Sequence, residues 1–521
     1  MTYEMTTGKS FSLLRMLYRG YCANATRPYA VCDGESMSYA QGFIWSSALV
    51  SSLRELGATR GQAAIVSMKN STRFPLVVAA LQELGVSVVM VSPQAGSIEY
   101  ENAVSLMHPQ YAFVLTDEHR KFSLAADPDI KVFDAGPFRF GAASIDDMAE
   151  TARSGVVLSE PQGDSESIDV VLFSSGTTGL PKAIANSLDS YAYNAMRLGG
   201  VLGVAESDAI YVPAPCGHVY GFVGTIMSLF YGATLVSISK YTPKASIELM
   251  RATRATVFLS VGTMLIREMR ADADGHQGPN SLRVVMVAGA SCPRDVMGSY
   301  EGRYGCRIVQ SYGMTETAGL ISISSPSDGF DVRVGTVGGL IVGVAVKLIE
   351  DTGEILVKSP ALMKGKVSNG SYELFDVDND GWLHTGDVGS FDESGRLSIT
   401  GRIKDIVIRG GINIFPLEVE KAYEGCAAVQ ECCLVGYPDS DLGERTCLCV
   451  ITREGYSDSS EDLRRYAKGR LEKCKYPDIV LKMDDFPRLS NGKTDKVALR
   501  SVVRDALHVQ VRRKGRFEYG R

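Results

Sequence analysis

The run Asp169-Val170-Val171-Leu172-Phe173 leads directly into Ser174-Ser175-Gly176-Thr177-Thr178-Gly179-Leu180-Pro181-Lys182. The first five residues read as a buried strand, and the next nine as a loop of small hydroxyl residues and glycines. Such a loop can turn successive backbone N–H groups and hydroxyls toward phosphate oxygens, with Lys182 adding positive charge nearby. It is not the Walker A pattern, because no Gly-Lys-Ser/Thr follows a glycine at the required spacing. A surface turn would explain the glycines but not the whole string.

Outward from this loop, short apolar runs alternate with helical stretches. Toward the N-terminus an amphipathic stretch through Leu56 precedes AAIVSM, PLVVAALQELG and VSVVMVSP, and YAFVLT follows. Toward the C-terminus come AIYVPA, ATLVSIS, ATVFLS and LRVVMVAG. Apolar runs of about five residues between helices predict βαβ units with parallel sheets, enough for two α/β lobes over about 1–325. From Asp328 the texture becomes Gly-punctuated and β-rich without helix, which predicts a small antiparallel or barrel-like subdomain over about 326–403. Beyond, PLEVEKAYEG reads as a helix, ECCLVGY and TCLCVIT as strands, and 459–474 as a second helix. The fold class is therefore α/β: a large N-terminal domain, 1–403, and a small α+β domain, 404–521. The basic tail after His508 reads as a loosely docked terminus.

A chain of 521 residues is too long for one ordinary core, and 45% hydrophobic with 22% charged residues is a globular composition. A net charge of −6 offers no general attraction to nucleic acid or anionic membrane. No run approaches a membrane span and the first residues lack the order of a secretory signal, so a cytoplasmic location is expected. The eleven cysteines include no CxxC pair, and none of the six histidines stands at ligand spacing from another. They read as small buried thiols in a reducing compartment, with no structural metal.

Four further motifs follow the loop in order. They are Gly289-Ala290-Ser291, Gln310-Ser311-Tyr312-Gly313-Met314-Thr315-Glu316-Thr317, Trp382-Leu383-His384-Thr385-Gly386-Asp387, and a C-terminal set. That set comprises Gly401-Arg402-Ile403-Lys404-Asp405, Arg409-Gly410-Gly411-Ile412-Asn413 and Pro487-Arg488-Leu489-Ser490-Asn491-Gly492-Lys493. From about Met37 to Arg500 the series resembles the adenylate-forming superfamily of acyl-CoA synthetases, peptide-synthetase adenylation domains and luciferases.

The resemblance implies a β-barrel over about 326–403, and roles for single residues. Ser174, Ser175, Gly176, Thr177, Thr178, Gly179 and Lys182 would form the phosphate loop. Gly289, Ala290, Ser291, Ser311, Tyr312 and Gly313 would line the adenine, with Ala288 standing where a glycine is usual. Thr315 would meet the α-phosphate and Glu316 would ligate Mg²⁺. Asp387, supported by Arg402, would accept the ribose hydroxyls. Lys404 would be the hinge of a mobile C-terminal domain, and Lys493 would bridge substrate carboxylate and α-phosphate. Gly410 and Gly411 would line a pantetheine tunnel, with Arg409, Lys473 and Lys475 near its mouth.

His218, Val219, Tyr220 and Phe222, with Met314, are the candidate acyl pocket; Pro213-Ala214-Pro215-Cys216-Gly217-His218 is similar to the medium-chain fatty-acid branch. Amino-acid-activating relatives carry an aspartate here, yet nothing from 211 to 229 is acidic. A buried ammonium without a partner would cost several kcal/mol. The expected activity is an acid–thiol ligase that uses ATP, Mg²⁺ and coenzyme A on a fatty, alicyclic or aromatic acid. The alternative is an acyl-AMP ligase that loads a free-standing carrier protein.

Overall fold

The computed structural model describes residues 11–114, 129–134, 143–144, 160–161, 167–174, 182–272, 278–368, 371–374, 376–409, 412–439, 442–456, 458–468, 470–489 and 493–515. Two nine-stranded sheets dominate the described residues. The first runs Ser371–Glu373, Gly365–Ser368, Lys182–Ser187, Asp169–Ser174, Ser87–Met90, Ala63–Ser67, Tyr111–Val114, Lys131–Asp134, Ala143–Ser144. It is parallel from Asp169–Ser174 to Ala143–Ser144, and Lys182–Ser187 turns back antiparallel. The second runs Gly339–Leu340, Ser322–Ile323, Arg307–Tyr312, Val284–Val287, Val257–Ser260, Ala209–Tyr211, Thr234–Ser237, Pro28–Cys32, Glu35–Ser38. Its interior, from Arg307–Tyr312 to Pro28–Cys32, is parallel. The alternating runs of the sequence thus become the two parallel-sheet lobes they predict.

Period-two burial explains the layering. Val170 and Leu172 face one core while Val171 faces another. The first core is shared by both sheets. It takes in helices Leu13–Asn24, Tyr39–Glu55, Phe74–Glu83, Leu188–Leu202 and Val219–Phe230, which lie between them. Helices Pro243–Ala252, Gly262–Ala271 and Arg294–Tyr304 cover the outer face of the second sheet, and Ser97–Met107 covers that of the first. Ser174 and Tyr312 stand at carboxyl ends of parallel strands, one in each sheet, the usual place for a ligand cleft in open α/β sheets.

The Gly-punctuated region forms a four-stranded antiparallel sheet, Ala345–Leu348, Glu354–Lys358, Leu383–Phe391 and Leu397–Arg402. It is not a closed barrel among the described residues. Leu397 instead exchanges backbone bonds with Val337 and Gly338, and Gly365–Ser368 leaves to pair with Lys182–Ser187.

Sheet membership changes after Arg402. A 3₁₀ turn, Ile403–Asp405, leads to Val407–Arg409 of a separate five-stranded sheet with Ile412–Ile414, Gly443–Thr452, Val429–Asp439 and Ile479–Lys482. Apolar clusters cover its two faces, one under helix Pro416–Ala422 and one under Lys496–Gly515. The helix expected over 459–474 stops earlier, at Ser460–Tyr466, because Lys468 and Leu471 pair in a tight bridge before the 3₁₀ turn Lys473–Lys475.

All eleven cysteines are free. Most are buried, but Cys22 is exposed and Cys432 and Cys474 are half-buried. Burial pushes the thiols of Cys32, Cys292 and Cys306 up to about 12. Among the described residues no helix is long and apolar enough to cross a membrane.

Candidate active site

The cleft is built from strand ends. Arg307–Tyr312 delivers Tyr312, and the 3₁₀ turn Thr315–Thr317 follows at once. The strand Leu383–Phe391, between Glu354–Lys358 and Leu397–Arg402, brings Asp387 opposite Arg402, its cross-strand partner. Arg402 Nε donates to Asp387 Oδ1 at 2.6 Å, and the Tyr312 hydroxyl donates to Asp387 Oδ2 at 2.7 Å. Asp387 is only 3% exposed, and these two donors satisfy both of its buried oxygens. Burial opposes the Arg402 charge, but the Asp387 carboxylate outweighs it and holds the guanidinium above its ordinary value. The Tyr312 phenol is pushed well up by burial and by the same carboxylate. A fixed carboxylate beside an aromatic ring suits a ribose and its base.

Lys493 reaches this cluster from the C-terminal domain. Its Cε lies 3.3 Å, and its Nζ 3.8 Å, from where a β-carbon would stand on Gly289. Gly289 has φ +84°, a left-handed backbone that favours glycine. Lys493 remains solvent-accessible, yet surrounding protein and the Arg402 charge lower its ammonium below the ordinary lysine value. Ala290 and Ser291 follow as an exposed edge of the same loop.

Glu316 lies half-buried in the turn after Tyr312. Burial raises its carboxyl, while Lys182 and Arg402 pull it back and Asp376 pushes it further. Lys182 Nζ stands 3.8 Å from Asp376 Oδ2, so Lys182, Glu316 and Asp376 form one charged group. A partly desolvated carboxylate of this kind, with a second one nearby, fits a hard divalent cation. Ser174 ends the strand Asp169–Ser174 and pairs with Lys182 across the sheet. Ser175, Gly176, Thr177, Thr178 and Gly179 lie outside the described residues, as do Gly410 and Gly411.

The acyl candidates stand at the start of helix Val219–Phe230, against the same turn. His218 caps that helix and opens to the cleft; its Nδ1 accepts from Tyr220 N at 3.4 Å. Surrounding protein and the Lys493 charge lower its imidazole to about 4, so it is neutral near pH 7. The Tyr220 hydroxyl lies 3.0 Å from Ser260 O and 2.9 Å from Met286 O, tying the helix to two strand ends. Gly319, φ +92°, would place a β-carbon 2.8 Å from Val219 Cγ2, so the helix presses on the segment that follows the Thr315–Thr317 turn. Phe222 packs edge-on against Tyr191 (5.1 Å) and Phe74 (6.5 Å), making a solid aromatic wall behind the helix. Met314 is half-buried beside Ile184, Met363 and Leu383. Ser311 is buried within its strand, and Gly313 is exposed.

The remaining candidates lie elsewhere on the C-terminal domain. Lys404 is exposed in its 3₁₀ turn. Arg409 Nη2 donates to Asp478 Oδ1 at 2.8 Å, and Lys475 Nζ donates to Glu418 Oε1 at 2.7 Å. Lys473 is exposed. Sequence reading missed Asn70, whose Nδ2 donates to Ala214 O and whose Oδ1 accepts from Cys216 N at 2.7 Å, pinning the loop before His218. It also missed Asp376, Asn186 and Asn194. The amide at Asn186, directly after the apolar run Ala183-Ile184-Ala185 of its strand, was the one visible signal.

Residues 22–365 match the AMP-binding enzyme family, and 418–493 match the AMP-binding enzyme C-terminal domain. The chain belongs to the AMP-binding enzyme family. Among its relatives, a salicylyl-CoA synthase / salicylate adenylyltransferase from Streptomyces sp. is 31% identical over 510 residues, 91% of each chain. YngI of Bacillus subtilis (strain 168) is 31% identical over 350 residues, which span 65% of this chain and 64% of that protein. A 2-succinylbenzoate–CoA ligase of Geobacillus sp. (strain WCH70) is 25% identical over 459 residues, 87% of this chain and 89% of the relative. Among solved structures, this AMP-binding enzyme shares its fold with the anthranilate CoA ligase AuaEII in complex with anthranoyl-AMP. That likeness has TM-score 0.85 and 20% identity over 96% of this chain and 99% of the other. ATP-bound MatB from Rhodopseudomonas palustris is similar at TM-score 0.84 and 24% identity, over 95% and 99%.

Proposed function

We propose that this AMP-forming acid–coenzyme A ligase acts on a compact aromatic monocarboxylic acid. The observation that carries the ligase reading is the approach of Lys493 to Gly289 beside the Asp387–Arg402 pair. In the first half-reaction the acid's carboxylate oxygen attacks the α-phosphorus of ATP. The bond to the β-phosphate bridging oxygen breaks, and pyrophosphate leaves. Asp387 and Tyr312 hold the ribose and base. Thr315 and Lys493 meet the charge that builds on the α-phosphate, an electrostatic and positioning role rather than proton transfer. Glu316 would hold Mg²⁺, which supplies charge neutralisation at the phosphates.

In the second half-reaction the C-terminal domain turns about Lys404, and the coenzyme A thiolate attacks the acyl carbonyl carbon. AMP leaves, and the thiol proton goes to solvent. Gly410 and Gly411 would line the thiol's path, with Lys473 as the exposed cation for its phosphates. Arg409 and Lys475 would reach coenzyme A only by giving up their partners Asp478 and Glu418.

Three features support a compact, uncharged acyl group. Neutral His218 and cationic Lys493 offer no partner for an ammonium. Phe222, Tyr191 and Phe74 pack edge-on behind the start of the helix, which suits a short acyl group. One relative, 31% identical over 91% of each chain, is named for salicylate, a compact aromatic monocarboxylic acid. Free thiols throughout suit a reducing compartment, and we assign the enzyme to the cytoplasm.

The test is pyrophosphate exchange against benzoates, alicyclic acids, fatty acids and amino acids, followed by acyl-CoA detection with no second protein added. Benzoate-type acids should give the highest kcat/KM. Preference for a fatty acid overturns the aromatic reading. Acyl-AMP that clears only with a phosphopantetheinylated carrier overturns coenzyme A as acceptor. Lys493→Ala should lower exchange by about 10²–10³ while sparing the thiol step.

A further inference from the structure

The turn that carries Thr315 and Glu316 is gripped through four successive carbonyls. Asn186 Nδ2 donates to Thr315 O at 2.9 Å, and Met363 N donates to Glu316 O at 2.7 Å. Asn194 Nδ2 donates to Thr317 O at 2.8 Å and to Ala318 O at 2.9 Å. Asn186 has a further contact, from the same Nδ2 to the Tyr191 hydroxyl at 3.3 Å, so each amide has two acceptors for its two N–H bonds. Both asparagines are fully buried, and among the described residues their Oδ1 atoms have no partner.

A buried acceptor left without a partner costs stability, and an apolar side chain of the same shape would avoid that cost. The amides are therefore poor choices for packing alone; what they supply is donors aimed at one turn. The turn needs them. Ala318 has φ +48°, a left-handed conformation that alanine rarely adopts and that persists only where surroundings impose it. Asn186 also shares its strand, Lys182–Ser187, with the lysine of the phosphate loop. One strand thus fixes both Lys182 and the turn.

We infer that Asn186 and Asn194 are positioning residues for adenylation. They hold the Thr315 hydroxyl and the Glu316 carboxylate where the α-phosphate and its Mg²⁺ will meet them. This rests on the reading of Thr315 and Glu316 given above. It assigns neither asparagine any contact with substrate.

The test is Asn186→Leu, near-isosteric and free of the orphan acceptor, with Asn186→Ser as a second variant. Pyrophosphate-exchange kcat should fall about 10- to 100-fold, the usual effect of misplacing a reacting group by about 1 Å. The Mg²⁺ concentration for half-maximal exchange should rise. The melting temperature should hold, and thioester formation from supplied acyl-AMP should be largely spared. Wild-type exchange in either folded variant overturns the inference, as does equal loss in both half-reactions. Glu316→Gln, run alongside, separates the two readings. If it exchanges normally, the assignment of the turn itself fails; if it is impaired while Asn186→Leu is not, only the positioning inference fails.

Discussion

Lys493, near the end of the C-terminal domain, stands 3.3 Å from the position of a β-carbon on Gly289, in a loop at the carboxyl edge of the second N-terminal sheet. Nothing in either local sequence requires the two to meet. Their proximity defines a domain orientation in which an ammonium reaches the Gly289 loop, and a side chain at 289 would crowd it.

Gly289→Val should therefore act on one half-reaction. The new side chain would collide with the Lys493 stem, and the φ of +84° would resist any β-branched residue. Pyrophosphate exchange should drop by about 10²-fold, approaching the loss expected of Lys493→Ala. Thioester formation from supplied acyl-AMP should stay close to wild type. Equal losses in both steps would show a folding defect instead.

The two donors on Asp387 should separate by size of effect. Tyr312→Phe removes one hydrogen bond to a carboxylate, about 1.5–3 kcal/mol, and should raise the KM for ATP about 10- to 100-fold. Arg402→Met leaves a carboxylate that is only 3% exposed without its cation, a larger penalty. Its KM for ATP should rise further, while the KM for the acid moves little in both variants. A smaller effect from Arg402→Met than from Tyr312→Phe would remove Arg402 from the ribose site.

Local pattern made much of this legible in the sequence. Runs such as Val284–Val287 and Val257–Ser260 are buried at every residue, and uninterrupted apolarity between helices announces parallel strands. The pairing of Asp387 with Arg402 was readable only through resemblance, since neither spacing nor composition brings them opposite one another. What stayed hidden was non-local. The bonds of Leu397 to Val337 and Gly338, which extend the antiparallel sheet of the β-rich subdomain, join positions that no local pattern pairs. Asn194 gains its meaning only because its helix passes behind Thr317 and Ala318. Arg409 and Lys475 look like free cations in sequence, and their carboxylate partners Asp478 and Glu418 appear only on folding.

Stability should depend on pH through Glu268, far from the chemistry. Its buried carboxyl meets the hydroxyls of Ser246 at 2.6 Å, Tyr300 at 3.0 Å and Tyr241 at 3.3 Å, with no cation among these partners. Burial raises it from 4.5 to about 7, so the folded chain keeps this proton after the unfolded chain has lost it. The contribution is fully present below pH 4.5 and is lost as pH rises through about 7. That difference corresponds to about 3 kcal/mol. Glu268→Gln, which cannot ionise, should flatten the curve. Urea unfolding at pH 5 and pH 8 checks it: wild type should lose stability relative to the variant, and parallel curves would refute the assignment.

The last prediction concerns the one ion pair that joins the domains away from the cleft among the described residues. Arg453 Nη2 donates to Asp295 Oδ2 at 2.8 Å, and its Nε is anchored on Val429 O at 3.0 Å. Asp295 stands in the first turn of helix Arg294–Tyr304, in the segment that continues from the Gly289 loop. Closing this pair therefore favours the orientation that presents Lys493. Both side chains are about two-fifths exposed, at 43% and 42%, so the pair is worth about 0.2–1 kcal/mol and salt should weaken it. Reversal is a stronger probe than removal, because Glu424 on the C-terminal domain already repels Asp295. Arg453→Glu should lower pyrophosphate exchange about two- to tenfold at low ionic strength without lowering thioester formation from acyl-AMP. The deficit should shrink in high salt. Arg453→Glu combined with Asp295→Arg should recover exchange. A double variant no better than the single one, or a deficit that salt leaves untouched, would mean the pair does not bias the domain equilibrium.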